Sequence, residues 1–301
     1  MKVVRSITEM RTEVKQLRKQ RSTIDHEATV GLVPTMGFLH DGHASLMQKA
    51  TEMSDIIAIS IFVNPIQFGP NEDFERYPRD EKRDLALAEK NGVDLVFMPD
   101  VEDMYPTPIK THVTVADLTD TLCGASRPGH FDGVSTVVTK LFNIVKPDYA
   151  FFGTKDAQQV AVLRQMVTDL NMDVNIVPCP IVREQDGLAL SSRNVYLSRE
   201  EREQALVLSR SLNNVQQQIR DQEDMTAGQV REFLRTSIAQ STIAEVDYAD
   251  ILSFPRLESL AEHTVLAELD HEVIIALAVK FGRTRLIDNV ILEAKGVALH
   301  V

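Results

Sequence analysis

The sequence predicts an α/β protein, a parallel-sheet domain over residues 1–180 followed by a smaller α+β domain over residues 181–301. Three observations carry this. Short apolar, β-branched runs at 30–33, 56–63, 94–98, 149–152 and 173–177 alternate with stretches of helical period, the pattern of parallel strands joined by right-handed crossovers. Several of these runs end in polar segments with glycine or proline, so loops gather at the sheet edge where such folds bind ligands. Beyond Pro-Cys-Pro at 178–180 the order changes to helices and then closely spaced strands, which indicates an antiparallel module. A chain of 301 residues is long for one core and comfortable for two.

Residues 6–9, Ser-Ile-Thr-Glu, have the form of a capping box and open a charged helix through Gln20. Residues 30–33 form a strand closed by Pro34, and Leu46, Met47 and Ala50 recur at helical spacing, giving strand, glycine-containing loop and helix. The N–H groups of a first helical turn favour an anion above the strand's carboxyl end, so this is a phosphate site in outline. Gly37 and Gly42 let backbone approach a ligand closely, and His40 and His43, three apart, can face the same way. The two rings could also ligate a metal, but no Cys is near and Asp41 alone makes a poor third ligand, so no metal site is assigned.

The buried strand at 56–63 runs into a long loop at 64–79, where the amide of Gln67 can donate to a carboxylate and accept from a hydroxyl. A helix at 80–91, a strand at 94–98 and a further short strand at 111–115 follow. Residues 127–133 read as a turn-rich loop bearing Arg127 and His130, and 134–145 as a buried helix in which Lys140 could snorkel to the surface or reach into a site, the former being favoured.

After the strand at 149–152, Gly-Thr-Lys-Asp-Ala-Gln-Gln at 153–159 precedes a helical stripe of Val160, Leu163, Met166, Val167 and Leu170. Lys155 can there neutralise a phosphoryl oxygen and Gln159 can orient a polar substrate; the alternative is a surface lysine beside a capping Asp156. Ser191, Ser192 and Arg193 suit a triphosphate, with planar bidentate contacts from the guanidinium, unless the serines only make turns. Capping boxes at 198–201 and 226–229 open helices to Arg220 and Gln240, and strands are expected at 244–251, 264–269, 272–279 and 285–291.

A formal net charge of −12 argues against general nucleic-acid binding, so an anionic ligand must be met by a local basic pocket. Cys123 and Cys179 are too isolated for a disulfide framework, which fits a reducing cytoplasm. Residues 1–6 lack a signal-peptide core, and no apolar run is long enough to span a bilayer.

The His-x-Gly-His form after a strand resembles the signature of the nucleotidylyltransferase superfamily. With Pro-Thr-Met-Gly-Phe-Leu-His-Asp-Gly-His at 34–43, Phe-Val-Asn-Pro-Ile-Gln-Phe-Gly at 62–69, Arg-Pro-Gly-His-Phe-Asp-Gly at 127–133, Phe-Gly-Thr-Lys-Asp-Ala-Gln-Gln at 152–159 and Gly-Leu-Ala-Leu-Ser-Ser-Arg-Asn at 187–194 in order, nearly the whole chain resembles the pantothenate synthetase (pantoate–β-alanine ligase) family. The resemblance implies a Rossmann-like ATP- and pantoate-binding domain, a C-terminal lid domain and a cytoplasmic homodimer. It implies adenylation of pantoate by ATP with Mg2+, release of pyrophosphate, then displacement of AMP by β-alanine. Carried over, Met36, Gly37, Phe38, Leu39, His40, Asp41, Gly42 and His43 would contact ATP, with Gly153, Thr154, Lys155, Asp156, Val182, Leu190, Ser191, Ser192 and Arg193. His43, His40, Lys155 and Arg193 would act on the transition state. Gln67 and Gln159 would bind pantoate, and Gln67 also β-alanine. Two positions depart from the family pattern: Leu190 stands where methionine is common, and Thr154 where glutamate is frequent.

Overall fold

The computed structural model describes residues 1–70 and 72–293. In chain order the elements are β1 (Lys2–Val4), α1 (Ile7–Arg21), β2 (Val30–Thr35), α2 (Asp41–Met53), β3 (Ile56–Ile61), α3 (Glu81–Lys90), β4 (Leu95–Phe97) and α4 (Val101–Met104). There follow α5 (Leu122–Ser126), α6 (His130–Val145), β5 (Tyr149–Gly153), α7 (Ala157–Asp169) and β6 (Asn175–Cys179). The remainder is α8 (Arg199–Ala205), α9 (Val207–Asp221), α10 (Ala227–Ile238), β7 (Ala244–Ser253), β8 (Val273–Phe281) and β9 (Thr284–Leu292). The protein is thus α/β, with a six-stranded parallel sheet and a three-stranded antiparallel one.

Two compact units are distinguished: Met1–Thr119, Arg127–Thr154 and Val162–Cys179 in the first, and Asp120–Ser126, Lys155–Ala161 and Pro180–Val301 in the second. In the first, the strand order is β1-β4-β3-β2-β5-β6. From β2 the chain builds outward through β3 and β4, then returns through α6 to build β5 and β6 on the other side. The order therefore reverses between β2 and β5, the switch point at whose carboxyl ends such sheets bind ligands. α2 and α3 lie on one face, where Leu46, Met47, Ala50 and Ala88 pack on Val33, Ile57, Ile59, Val96 and Phe151. These strand residues are almost fully buried, which explains why the central strands read as continuous apolar runs.

The edge strand β6 tolerates Pro178. Asn175 donates its N–H to Asp148 on the inner side, so by alternation the missing N–H of Pro178 lies on the outer side. The strand thereby runs two residues past the expected end at Val177. In the second unit, α9 and α10 bury Leu208, Leu212, Val215, Val230 and Leu234 with Ile275, Leu277 and Val279 of β8. The capping boxes at Ser198 and Thr226 are both formed, each hydroxyl accepting an N–H three residues on.

Four expectations are corrected. β1 is additional to the expected strands; it pairs with β4, Val3 opposite Val96. Residues 111–115 form no strand, and the N–H of Val113 instead reaches the hydroxyl of Thr136 on α6. Residues 264–269 make a short 3-10 turn at Leu266–Glu268 and one bridge, Val265 to Thr226, because β7 and β8 already satisfy each other. The helix expected from residue 198 to Arg220 is broken at Leu206 into α8 and α9.

Candidate active site

The loop between β2 and α2 is held at nearly every residue. Thr35 Oγ1 donates to the Ser60 carbonyl and accepts the Gly37 N–H. Gly37 and Phe38 both have left-handed backbone, at φ 85° and 49°. Left-handed backbone costs a phenylalanine about 1–3 kcal/mol and persists only where the surroundings hold it. Asp84 of α3, 1% exposed, does so by accepting the N–H groups of Phe38 at 2.8 Å and Leu39 at 2.6 Å. Burial, which these two bonds do not outweigh, raises the pKa of this carboxyl above its ordinary value. The guanidinium of Arg83 lies 4.9 Å from the centre of the Phe38 ring.

His40 is the N-cap of α2. Its Nδ1 accepts the Gly42 N–H at 3.2 Å, while its own backbone N–H donates to Nδ1 of His43 at 3.3 Å. The two rings lie 4.1 Å apart. With both Nδ1 atoms accepting, each neutral imidazole carries its proton on Nε2 and presents a donor there. This modifies the expectation that backbone N–H groups would meet an anion. Those of Gly37, Phe38, Leu39, His40, Gly42 and His43 have acceptors within the protein.

β3 neighbours β2, and Gln67 stands in a 3-10 turn at Pro65–Gln67 beyond its carboxyl end. Its Nε2 lies 3.1 Å from Sδ of Met36, joining a predicted pantoate residue to a predicted ATP residue. Asn64 Nδ2 donates to Gln67 Oε1 at 3.0 Å and to the Gly133 carbonyl at 3.1 Å, and Tyr105 donates to Asn64 Oδ1 at 2.8 Å. The segment 127–133 is loop only to Gly129, since His130 already begins α6. Arg127 grips Glu72 at 2.6 and 2.7 Å, and His130 Nδ1 is 2.9 Å from the Gln67 carbonyl. Burial opposes the charge on Glu72, but Arg127 prevails and holds its pKa below the ordinary range. Lys140 does not simply snorkel: its Nζ lies 5.3 Å from the centre of the Tyr105 ring.

β5 is the other neighbour of β2, and ends in Gly153 with Thr154 beyond it, where Thr154 Oγ1 donates to the Cys179 carbonyl at 3.0 Å. Among the residues of the first unit, the Met36–His43 loop, Gln67, Gly153 and Thr154 thus share one edge of one sheet.

Lys155, Asp156, Gln159, Val182, Leu190, Ser191, Ser192 and Arg193 belong to the second unit. Residues 182–190 fold back on themselves: the Leu190 N–H meets the Val182 carbonyl at 2.9 Å, and Gly187 turns the chain at φ 95°. Ser191 Oγ accepts the Arg193 N–H at 3.2 Å, opening the 3-10 turn Ser192–Tyr196. On β9, Asp288 holds Arg183 by paired contacts of 2.7 and 2.9 Å, and the next residue, Asn289, donates Nδ2 to the Lys155 carbonyl at 2.8 Å. One strand thereby ties down both the Lys155 segment and the Val182–Leu190 turn. Lys155 Nζ pairs with Asp156 at 3.1 Å, and Gln159 is half-buried on α7.

Sequence reasoning did not single out Asn64, Asp84, Tyr105, Asp288 or Asn289. Asp288 and Asn289 had a signal: two polar residues inside Leu-Ile-Asp-Asn-Val-Ile-Leu, a strand otherwise apolar. Among the described residues no group of three or more His, Cys, Asp or Glu could hold a metal ion, and no helix is long and apolar enough to cross a membrane.

Residues 2–291 match the family model described as Pantoate-beta-alanine ligase. The chain is 53% identical over 296 residues to the pantothenate synthetase of Caldicellulosiruptor bescii, covering 98% of this chain and 100% of that one. It is similar to the crystal structure of pantothenate synthetase from Thermus thermophilus, with 41% identity, a TM-score of 0.85 and coverage of 99% and 100%. It is also similar to the pantoate-beta-alanine ligase of Francisella tularensis complexed with beta-gamma ATP and beta-alanine, with 32% identity, a TM-score of 0.72 and coverage of 96% and 97%.

Proposed function

This chain belongs to the pantoate-beta-alanine ligase family, and from that membership we infer its reaction, the ATP-dependent condensation of pantoate with β-alanine. The observation within the molecule that supports it best is the His40–His43 pair at the sheet's switch point, both rings fixed by backbone N–H groups at Nδ1. In the first step a pantoate carboxylate oxygen bonds to the α-phosphorus of ATP, the bond to the bridging oxygen breaks, and pyrophosphate leaves. In the second the β-alanine nitrogen attacks the acyl carbon of the pantoyl adenylate, loses a proton and expels AMP.

The first step brings two anions together, so its barrier is electrostatic and falls when fixed donors and cations meet the developing charge. We assign that work to His40, His43, Lys155 and Arg193, and ATP contacts to Met36–His43, Gly153–Asp156, Val182 and Leu190–Arg193. Gln67 and Gln159 take pantoate, and Gln67 meets β-alanine. Neutral amides suit a hydroxy acid, whereas an acceptor phosphate would call for more cations. Leu190 and Thr154 alter fine contacts to ATP, Thr154 by replacing a carboxylate with a hydroxyl, and leave the class of reaction untouched. Mg2+ enters on the ATP phosphates, held largely by them and by water, as befits an ion that dehydrates reluctantly.

Residues 181–301 serve as a lid over residues 1–180, keeping water from the adenylate. The enzyme works as a cytoplasmic homodimer, which light scattering at micromolar concentration tests. The central experiment is AMP formation with ATP and pantoate, with and without β-alanine. Amine-dependent AMP release supports the ligase; AMP or pyrophosphate formation indifferent to the amine would identify a simple nucleotidylyltransferase. His43→Ala and Lys155→Ala lose at least about a hundredfold in kcat while melting within a few degrees of the parent. Near-normal turnover in both would refute the assigned site.

A further inference from the structure

An amide side chain has a donor end and an acceptor end of the same shape, and its neighbours decide which end faces a ligand. Gln67 is set by a chain of three residues. Its Oε1 accepts from Asn64 Nδ2, so its Nε2 end turns toward Met36. Asn64, 1% exposed, is itself set from both sides. The Gly133 carbonyl can only accept, so it demands the Nδ2 end; Tyr105 supplies the hydroxyl that satisfies Oδ1. Burial raises the pKa of that phenol, which keeps it a donor across the working range. Lys140 over the ring withdraws electron density and strengthens the donation further.

The geometry points to Tyr105 as a positioning residue for the ligation: acting through Asn64, it fixes the Gln67 amide so that N–H donors, and not the carbonyl, face the hydroxy acid. The inference rests on the reading of Gln67 as a pantoate residue. A Gln67 so fixed accepts a ligand that brings oxygen lone pairs, a carboxylate or a hydroxyl oxygen, and rejects one that brings a donor to the same point. Removing the Tyr105 hydroxyl leaves Asn64 Oδ1 buried without its donor, and only the Gly133 carbonyl still selects the orientation of the amide pair, so its hold on Gln67 loosens.

The test is Tyr105→Phe, read in two ways. In steady-state kinetics the KM for pantoate rises about tenfold, while the KM for ATP stays within about twofold. In the substrate-free protein, the Gln67 side-chain 15N–1H resonance, assigned by its loss in Gln67→Leu, moves or splits in Tyr105→Phe. Lys140→Met, which keeps the hydroxyl and removes the cation, shifts it in the same direction by less, and serves if Tyr105→Phe does not fold. An unmoved Gln67 resonance in the folded variants, or equal losses for pantoate and ATP, overturns the proposal. A moved resonance in a protein whose parent does not turn over pantoate would sustain the relay and refute the substrate assignment instead.

Discussion

Asp84 and Phe38 lie 46 positions apart in the chain, yet a 2.8 Å bond from the Phe38 N–H to the Asp84 carboxylate fixes the left-handed turn that leads into His40. Asp84→Asn keeps the shape but sets an amide donor against a backbone donor. About 1–3 kcal/mol of stability is lost. Because the displaced turn carries His40, the KM for ATP rises about tenfold. Thermal melts and initial rates against ATP measure the two effects, and a variant kinetically identical to the parent would show that the turn holds without Asp84.

The Arg127–Glu72 pair predicts an acid-labile loop. A carboxyl whose folded-state pKa is depressed contributes stability above its unfolded pKa, and that contribution is lost as pH falls through the folded value. The melting temperature therefore declines from the ordinary glutamate range, about pH 4.3, downward. Glu72→Gln melts lower at neutral pH, losing about 1 kcal/mol of stability for a partly exposed pair, and the gap narrows in acid. A gap of constant size across pH 3 to 7 would contradict this.

Gly133 admits the close approach of α6 to the Gln67 turn. A Cβ there would stand 2.6 Å from the Gln67 Cα and 2.7 Å from its nitrogen, and closer still to the Ile66 carbonyl. All three are backbone atoms, so the turn must move. Gly133→Ala costs about 1–3 kcal/mol and raises the KM for pantoate more than that for ATP. Differential scanning calorimetry and the two KM values decide the matter.

Asn289→Ala removes the donor to the Lys155 carbonyl. With the ammonium left chemically intact but its backbone anchor gone, kcat falls about tenfold while substrate KM values change little. Loss of KM without loss of kcat would mean that Asn289 serves only binding.

The central strands were legible because burial on both faces writes a run of Val, Ile and Leu into the chain, as at residues 56–61. The histidine loop was legible because glycine and histidine at fixed spacing survive without knowledge of partners. β1 was not, since three residues show no period and its order comes wholly from β4. The strand expected at 111–115 has suitable residues, but a strand needs a neighbour and the sequence does not say whether one exists. Asp84 and Tyr105 were invisible for the same reason: one lies among the charges of α3, the other follows a four-residue helix, and only folding reveals whose backbone or amide each meets.

Pro178 offers a pyrrolidine ring where an incoming strand would look for a hydrogen. On that border the parallel sheet refuses recruitment of another chain, so crowded or partly opened molecules are discouraged from stacking there into fibres.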